Sequence, residues 1–121
     1  MLPTVPVYKK GDAAVGSRKY SEAVIQSLAN VIPDLVGGSA DLTGSNFTIW
    51  KEAKDFQPEG VAAKGGYDGR YIRYGVREHA MGAVMNGLHA YGAIIPFGGT
   101  VSLSFSRSPE LSQPRFERSS L

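Results

Sequence analysis

Three points of the chain carry polar side chains next to predicted strand or helix ends. Glu78 lies in the segment from Arg70 to Gly87, which predicts a short strand, a tight turn and a helix with Glu78 in its first turn. Arg18 stands at the start of a predicted helix, and Asp41 and Ser45 lie in a polar loop after a predicted strand. Open α/β sheets bind ligands where their strands end. There a carboxylate can exchange a proton with a ligand, and a guanidinium can hold a phosphate through paired hydrogen bonds.

Each of these residues also has a simpler interpretation. An acid such as Glu78 near a helix N-terminus commonly stabilises the helix dipole, by roughly 0.3–1 kcal/mol. Arg18 in a first helical turn is commonly solvated, and Asp41 and Ser45 are typical turn residues that bond to their own backbone. The residue types by themselves leave both interpretations open.

The elements that must position these residues alternate between strand and helix. Apolar residues at helical spacing from Tyr20 predict a helix that Ser17 caps and Pro33 ends, and a second helix follows Arg77, with Gly92 ending it in the left-handed conformation. On the second helix the expected apolar face comprises Met81, Val84, Met85 and Leu88. Strands are predicted at 34–38, 71–74 and 93–97, a short helix around Trp50 within 47–56, and loops at 39–46 and 57–69. This alternation predicts an α/β fold, a parallel sheet with flanking helices.

Composition excludes several classes of protein. The 121 residues favour one domain, and the 13 basic and 11 acidic residues leave a net charge of +2, too weak to indicate a nucleic-acid surface. No apolar run approaches the roughly 20 residues of a membrane span, and the N-terminus lacks the apolar core of a secretory signal. We therefore predict a cytoplasmic protein with no nucleic-acid or membrane partner. The chain has no cysteine, and its two histidines lie ten residues apart without an acidic companion at ligand spacing, so no metal site is predicted within it.

Three blocks in register resemble the central, pyrimidine-binding domain of transketolase. The resemblance extends over about residues 3–100, and its blocks are Ser17–Val24, Gly37–Asn46, and Gly69–Gly87 followed by Pro96-Phe97-Gly98-Gly99-Thr100. Several blocks in one order are far more specific than a single short motif. The fold implied is the thiamine diphosphate-binding fold, incomplete at the C-terminus of this chain.

The resemblance implies a cofactor, a reaction and roles for residues. The cofactor is thiamine diphosphate, and the reaction transfers a two-carbon ketol unit from a ketose phosphate to an aldose phosphate, in the pentose phosphate pathway. Glu78 corresponds to the glutamate that bonds to the pyrimidine ring and activates the cofactor. Asp41 and Leu42 correspond to residues that line the cofactor, and Arg18 and Ser45 to residues that hold the sugar phosphate. The family also implies a homodimer and a divalent metal (Mg or Ca) held by a preceding domain that no region here resembles.

The sequence departs from the family after Thr100. The family continues with aromatic residues that cover the pyrimidine ring, whereas this chain continues Val101-Ser102-Leu103-Ser104. We therefore divide the chain into a linker arm (1–16), a partial pyrimidine-binding domain (17–100) and a divergent tail (101–121) predicted to be disordered. Two alternatives stay open: a non-catalytic truncated fragment, and a relative of dihydroxyacetone synthase.

Overall fold

Five short parallel strands form one sheet in the structure, a computed structural model that describes residues 5–61 and 65–101. The elements in chain order are α1 (Ser17–Ala29), β1 (Leu35–Ser39), α2 (Thr43–Asn46), β2 (Asp55–Phe56), β3 (Gly65–Gly66), β4 (Tyr71–Arg73), α3 (Glu78–Tyr91) and β5 (Ile95–Gly99). The strand order is β3-β2-β4-β1-β5, and each pairing is parallel. The predicted α/β fold with a parallel sheet and flanking helices is confirmed.

The position of β1 between two neighbouring strands depends on its glycines. β1 pairs with β4 on one side and with β5 on the other. A Cβ atom on Gly37 would overlap the carbonyl oxygen of Phe97, and one on Gly38 would overlap that of Ile72. Any larger residue here would therefore push a neighbouring strand away.

The sheet separates two apolar clusters. Along β4 successive side chains point to opposite faces, so Tyr71 and Ile72 belong to different clusters. The first cluster packs α1 and the Trp50 loop against the sheet, and its buried members are Ala29, Leu35, Trp50, Ala53 and Tyr71. The second packs α3 against the other face, with Ala40, Tyr74 and Met81 as its buried members. The helices therefore cover both faces, as the alternating sequence predicts.

Both long helices were predicted, with errors at their edges. Ser17 is the first residue of α1 and not its cap; Gly16 occupies the N-cap position and makes no side-chain hydrogen bond there. The helix ends at Ala29, before Pro33, because the chain turns at Val31 and Ile32, whose N–H groups both bond to Leu28 O. The second helix, α3, ends as predicted at a left-handed Gly92 (φ 88°).

On α3 the predicted apolar face is correct for Met81 but wrong for Val84. Met81 is buried and Met85 packs against the same cluster, whereas the Val84 side chain is 45 % exposed. The helix contacts the sheet along a narrower stripe than the sequence period suggests.

The segment between β1 and β4 was predicted least well. The chain around Trp50 forms turns and no helix, because the indole is buried in the first cluster and fixes the backbone by tertiary contact. A short helix, α2, occupies part of the region expected to be only a loop, and the glycines of β3 pair with β2 inside the expected 57–69 loop. The strand predicted at 93–97 begins two residues later, at Ile95.

The ends of the chain are described only in part. Residues 5–16 contain no helix or strand, and Tyr8 contacts Tyr20 of α1 with ring centroids 4.3 Å apart. The tail predicted at 101–121 lies outside the described residues after Val101. Among the described helices, none is long and apolar enough to cross a membrane.

Candidate functional site

The carboxyl ends of β1 and β4 bring Asp41 and Glu78 to the same edge of the sheet. These strands pair in register up to Ser39 and Arg73, and the Tyr74 N–H donates to Ser39 O at 3.1 Å. Asp41 follows β1 closely, and Glu78 follows β4 after one tight turn. We name these two residues the carboxylate edge.

Glu78 begins α3 after a turn that glycine makes possible. Gly75 has a φ of 66°, and the Arg77 N–H closes the turn by donating to Gly75 O at 2.8 Å. Arg77 then holds the turn through a 3.1 Å hydrogen bond from its Nη1 to Tyr74 O. The Glu78 side chain is half-buried, and among residues 5–61 and 65–101 it has no hydrogen-bond or ion-pair partner. The turn thus fixes the backbone of Glu78 at the start of α3, and none of the described residues bonds to its carboxylate oxygens.

Asp41 adopts a left-handed conformation that is uncommon outside glycine. Its φ is 61°, and its side chain is exposed. Aspartate tolerates this region better than most residues, and strained positions of this kind cluster at functional sites. The next residue, Leu42, is half-buried, and its N–H donates to Ser39 Oγ at 3.0 Å. The turn therefore directs Asp41 outward and Leu42 inward.

A network of hydroxyl and amide groups fastens the loop behind Asp41 to the sheet. Ser39 Oγ also accepts a 2.7 Å hydrogen bond from Asn46 Nδ2, and Thr48 Oγ1 donates to Asn46 Oδ1 at 3.0 Å. The Tyr71 hydroxyl completes it, 2.8 Å from Thr43 Oγ1 and 2.9 Å from Thr48 Oγ1. Sequence reasoning missed this network, because a tyrosine in a predicted strand gives no sign of which loop its hydroxyl reaches.

Arg18 and Ser45, far apart in sequence, meet through the backbone of α2. Arg18 Nη1 donates to Ser45 O at 3.1 Å, and both side chains are exposed. The contact uses the carbonyl of Ser45, so its hydroxyl and the remaining donors of the guanidinium stay available. We name this pair the arginine corner.

The arginine corner borders a cleft of about 550 Å³ between α1 and β5. The α1 side is polar at the start of the helix and apolar further along it, and the β5 side is glycine-rich. The lining comprises Ser17, Arg18, Ser21, Ile25, Leu28, Leu35, Asn46, Thr48, Phe97, Gly98, Gly99 and Thr100. Asp41 and Glu78 are not part of this lining. Of the predicted site residues, Arg18 lines this cleft and contacts Ser45, whereas Asp41, Leu42 and Glu78 follow the carboxyl ends of β1 and β4, outside the lining.

Two further observations limit the chemistry of the site. Within the part of the chain that the structure describes, no group of three His, Cys, Asp or Glu side chains could hold a metal ion. Next to the carboxylate edge, burial raises the pKa of Tyr74, whose hydroxyl is buried without a hydrogen-bond partner among the described residues. The site therefore offers carboxylates, hydroxyls and a guanidinium, the groups that bind heterocycles and phosphates.

The chain matches the family described as transketolase, pyrimidine binding domain, over residues 13–112. It is 59 % identical over 97 residues to transketolase 1 of Saccharomyces cerevisiae and 57 % identical over 97 residues to transketolase of Kluyveromyces lactis. Each alignment covers 79 % of this chain and 14 % of the relative. The chain thus spans about one seventh of the length of the curated relatives it matches.

Solved structures show the same likeness. Transketolase of Pichia stipitis in complex with sedoheptulose-7-phosphate superposes with a TM-score of 0.74 at 56 % identity, covering 79 % of this chain and 14 % of that one. Transketolase of Leishmania mexicana gives a TM-score of 0.68 at 46 % identity, covering 80 % and 13 %.

Proposed function

This chain belongs to the transketolase family, and on that premise we propose that it supplies part of the pyrimidine-binding half of a transketolase site. The reaction proposed is transfer of a two-carbon ketol unit from a ketose phosphate to an aldose phosphate. The observation that carries the proposal is the position of Glu78, a half-buried residue at the start of α3 whose carboxylate has no partner among the described residues.

The residues at the carboxylate edge fit the pyrimidine ring of thiamine diphosphate. The Glu78 carboxylate, on a half-buried residue and without a partner among the described residues, is suited to a hydrogen bond with a ring nitrogen, because partial burial strengthens that bond relative to water. When bound, the cofactor supplies the electron sink that ketol transfer needs. Glu78 would orient the ring and hold or release a proton at its own oxygen, while Asp41 and Leu42 would line the ring from the end of β1.

The arginine corner fits the phosphate of the sugar. Arg18 uses one donor on Ser45 O and keeps the others, and the Ser45 hydroxyl stays available as a further donor. Transketolases of Pichia stipitis have been solved in complex with sedoheptulose-7-phosphate, fructose-6-phosphate and xylulose-5-phosphate. These ligands of the relatives support phosphorylated sugars as the substrate class for this chain.

The remaining parts of the site belong elsewhere. The described residues contain no group of three metal-ligating side chains, so they do not fit the divalent cation of the family. We therefore propose that Mg²⁺ or Ca²⁺, and the diphosphate, are held by another region of a complete transketolase, with a second chain as homodimer partner in the cytoplasm.

A second candidate is a non-catalytic fragment, which is favoured by one specific observation. The described residues offer no group of three side chains for the divalent cation, so the part of the site that binds the cation is not among them. In that case it would bind no cofactor, or act only by pairing with a complete transketolase chain. The choice between transketolase and a relative of dihydroxyacetone synthase depends on acceptor recognition that these residues do not provide.

The test has one readout on this chain and one on a complete enzyme. The thermal unfolding midpoint of the 121-residue chain is measured with and without thiamine diphosphate and magnesium, because a ligand that binds only the folded state raises it. We expect the ligand to raise the unfolding midpoint. Glu78→Gln should reduce this increase, whereas Glu59→Gln, in an exposed loop, should leave it unchanged. A cooperative transition that ignores the ligand would favour the fragment.

In a complete transketolase that contains this segment, Glu78→Gln should lower ketol transfer by about 10²-fold or more. Retention of most of the rate would remove Glu78 from the mechanism. Glu59→Gln again serves as the matched control.

A further inference from the structure

Phe47 is held in a backbone conformation that a bulky side chain rarely adopts. It follows α2 with a φ of 55°, and its N–H donates to Thr43 O at 3.2 Å. Glycine normally occupies this left-handed position at the end of a helix. A phenylalanine here calls for a compensating contact of its ring.

That contact is a pair of cations from the first turn of α1. The Arg18 Cζ lies 5.1 Å from the centroid of the Phe47 ring, and the Lys19 Nζ lies 3.9 Å from it. Both distances fall within the roughly 6 Å at which a cation is attracted by an aromatic face. The left-handed turn therefore brings one aromatic ring against two consecutive cationic residues.

The two cations differ in what else they contact. The Lys19 Nζ is 2.9 Å from Glu22 Oε2, so its charge is already paired within the helix. Arg18 forms no ion pair among the described residues, and its second contact there is the neutral carbonyl of Ser45. Arg18 is thus the cation that keeps its charge for an anion, and the ring and the carbonyl together determine where that charge lies.

We propose that Phe47 is a positioning residue for Arg18 and so raises the preference of the site for phosphorylated over unphosphorylated sugars. This inference rests on the proposed function, in which Arg18 binds the sugar phosphate. The Phe47 ring and Ser45 O both contact the guanidinium of Arg18, a residue that lines the cleft, and they leave its remaining N–H groups without a hydrogen-bond partner among the described residues. A guanidinium held in this way loses less rotamer freedom when a phosphate binds.

The experiment titrates the 121-residue chain with fructose 6-phosphate and, separately, with fructose, and follows binding by NMR shifts. Phe47→Leu removes the aromatic face but keeps apolar bulk, Phe47→Tyr keeps the face, and Phe56→Leu replaces a half-exposed aromatic residue of β2. We expect Phe47→Leu to weaken the binding of fructose 6-phosphate by about two- to fivefold and to leave the binding of fructose unchanged. Phe47→Tyr and Phe56→Leu should bind both sugars with the affinity of the unchanged chain. Phe47→Gly relieves the left-handed strain while deleting the ring, so it provides the same comparison if Phe47→Leu does not fold.

The outcomes separate the inference from the function on which it rests. Arg18→Ala could weaken the binding of fructose 6-phosphate by about tenfold or more while Phe47→Leu does not weaken it. In that case the positioning role of Phe47 is overturned and the phosphate site at Arg18 stands. If Phe47→Leu lost affinity equally for fructose and fructose 6-phosphate, its effect would be structural only, and the inference would also be overturned. If the unchanged chain does not prefer fructose 6-phosphate to fructose, or Arg18→Ala has no effect, the proposed phosphate site itself fails.

Discussion

The hydroxyl of Tyr71 lies 2.8 Å from that of Thr43, and this contact joins the middle of the sheet to the loop that carries Asp41. Tyr71 is fully buried in β4, whereas Thr43 begins α2 on the far side of the left-handed turn at Asp41. The position of the site loop thus depends on a residue whose side chain no ligand can reach.

Removing that hydroxyl tests its contribution. Tyr71→Phe keeps the ring in the first apolar cluster but leaves Thr43 and Thr48 without their shared partner. We expect the free energy of unfolding to fall by about 1–3 kcal/mol, as for loss of a buried hydrogen bond. Urea unfolding measures it, with Tyr91→Phe as control because Tyr91 is 79 % exposed. Equal effects of the two substitutions would contradict the structural role of the network.

Arg70 should contribute more to stability than other arginines near the site. Its guanidinium donates to Ala29 O at 2.8 Å and to Ile32 O at 2.9 Å, where α1 ends, and its Cζ lies 5.3 Å from the Trp50 ring. Arg70→Lys should lower the free energy of unfolding by about 1.5–3 kcal/mol, because an ammonium cannot reach several carbonyls in one plane. Arg77→Lys is the control, since Arg77 bonds to one carbonyl and is exposed. Denaturant midpoints that shift alike for both variants would refute this role of Arg70.

Two glycines should respond to alanine with opposite signs. At Gly38 a Cβ atom would overlap the backbone of Ile72, so Gly38→Ala should destabilise the fold by about 3 kcal/mol or abolish cooperative unfolding. At Gly82, inside α3, a Cβ atom meets nothing within 4 Å, so Gly82→Ala should stabilise by about 1 kcal/mol. Thermal unfolding of both variants checks the prediction. A stabilising Gly38→Ala would mean that β1 does not lie between β4 and β5 as described.

The buried hydroxyl of Tyr74 should make the free energy of unfolding fall at alkaline pH. Because burial raises its pKa in the folded state, the unfolded chain releases the phenol proton first, near its ordinary value of about 10. Its contribution to stability is therefore complete below about pH 10 and is lost as pH rises from there through the folded-state pKa.

Tyr74→Phe should remove this loss, and at neutral pH it should be neutral or stabilising because the deleted hydroxyl has no partner among the described residues. Unfolding free energies at about pH 8 and about pH 10.5 test both statements. An alkaline loss of the same size in Tyr74→Phe would assign it to another group.

The sequence predicted the elements that depend on local pattern and failed where distant contacts decide. Residues at helical spacing and a terminal glycine were sufficient for α3, as the left-handed Gly92 confirms. Trp50 gave a wrong prediction because its indole is fixed by Tyr71 and Phe97, which are remote in sequence. The two-residue strands β2 and β3 have too few residues to show any period.

The candidate site divides in the same way. Family resemblance named Arg18, Asp41, Leu42, Ser45 and Glu78, and their roles stay predictions. The contacts around them could not be read from the sequence, because the ring of Phe47 reaches Arg18 only once α1 and α2 are folded together. The left-handed backbone of Phe47, with a φ of 55°, could not be predicted either, because phenylalanine is not a residue type that favours this conformation.

The strand order has a consequence for how the chain reaches its native state. The interior strand β1 precedes both of its partners in the chain, and these begin only at Tyr71 and Ile95. During synthesis, the amides of Leu35–Ser39 therefore have no strand partner until the chain has been made beyond Tyr71 on one side and Ile95 on the other. Non-local pairing of this kind slows folding, and it exposes β1 to association with other chains during synthesis.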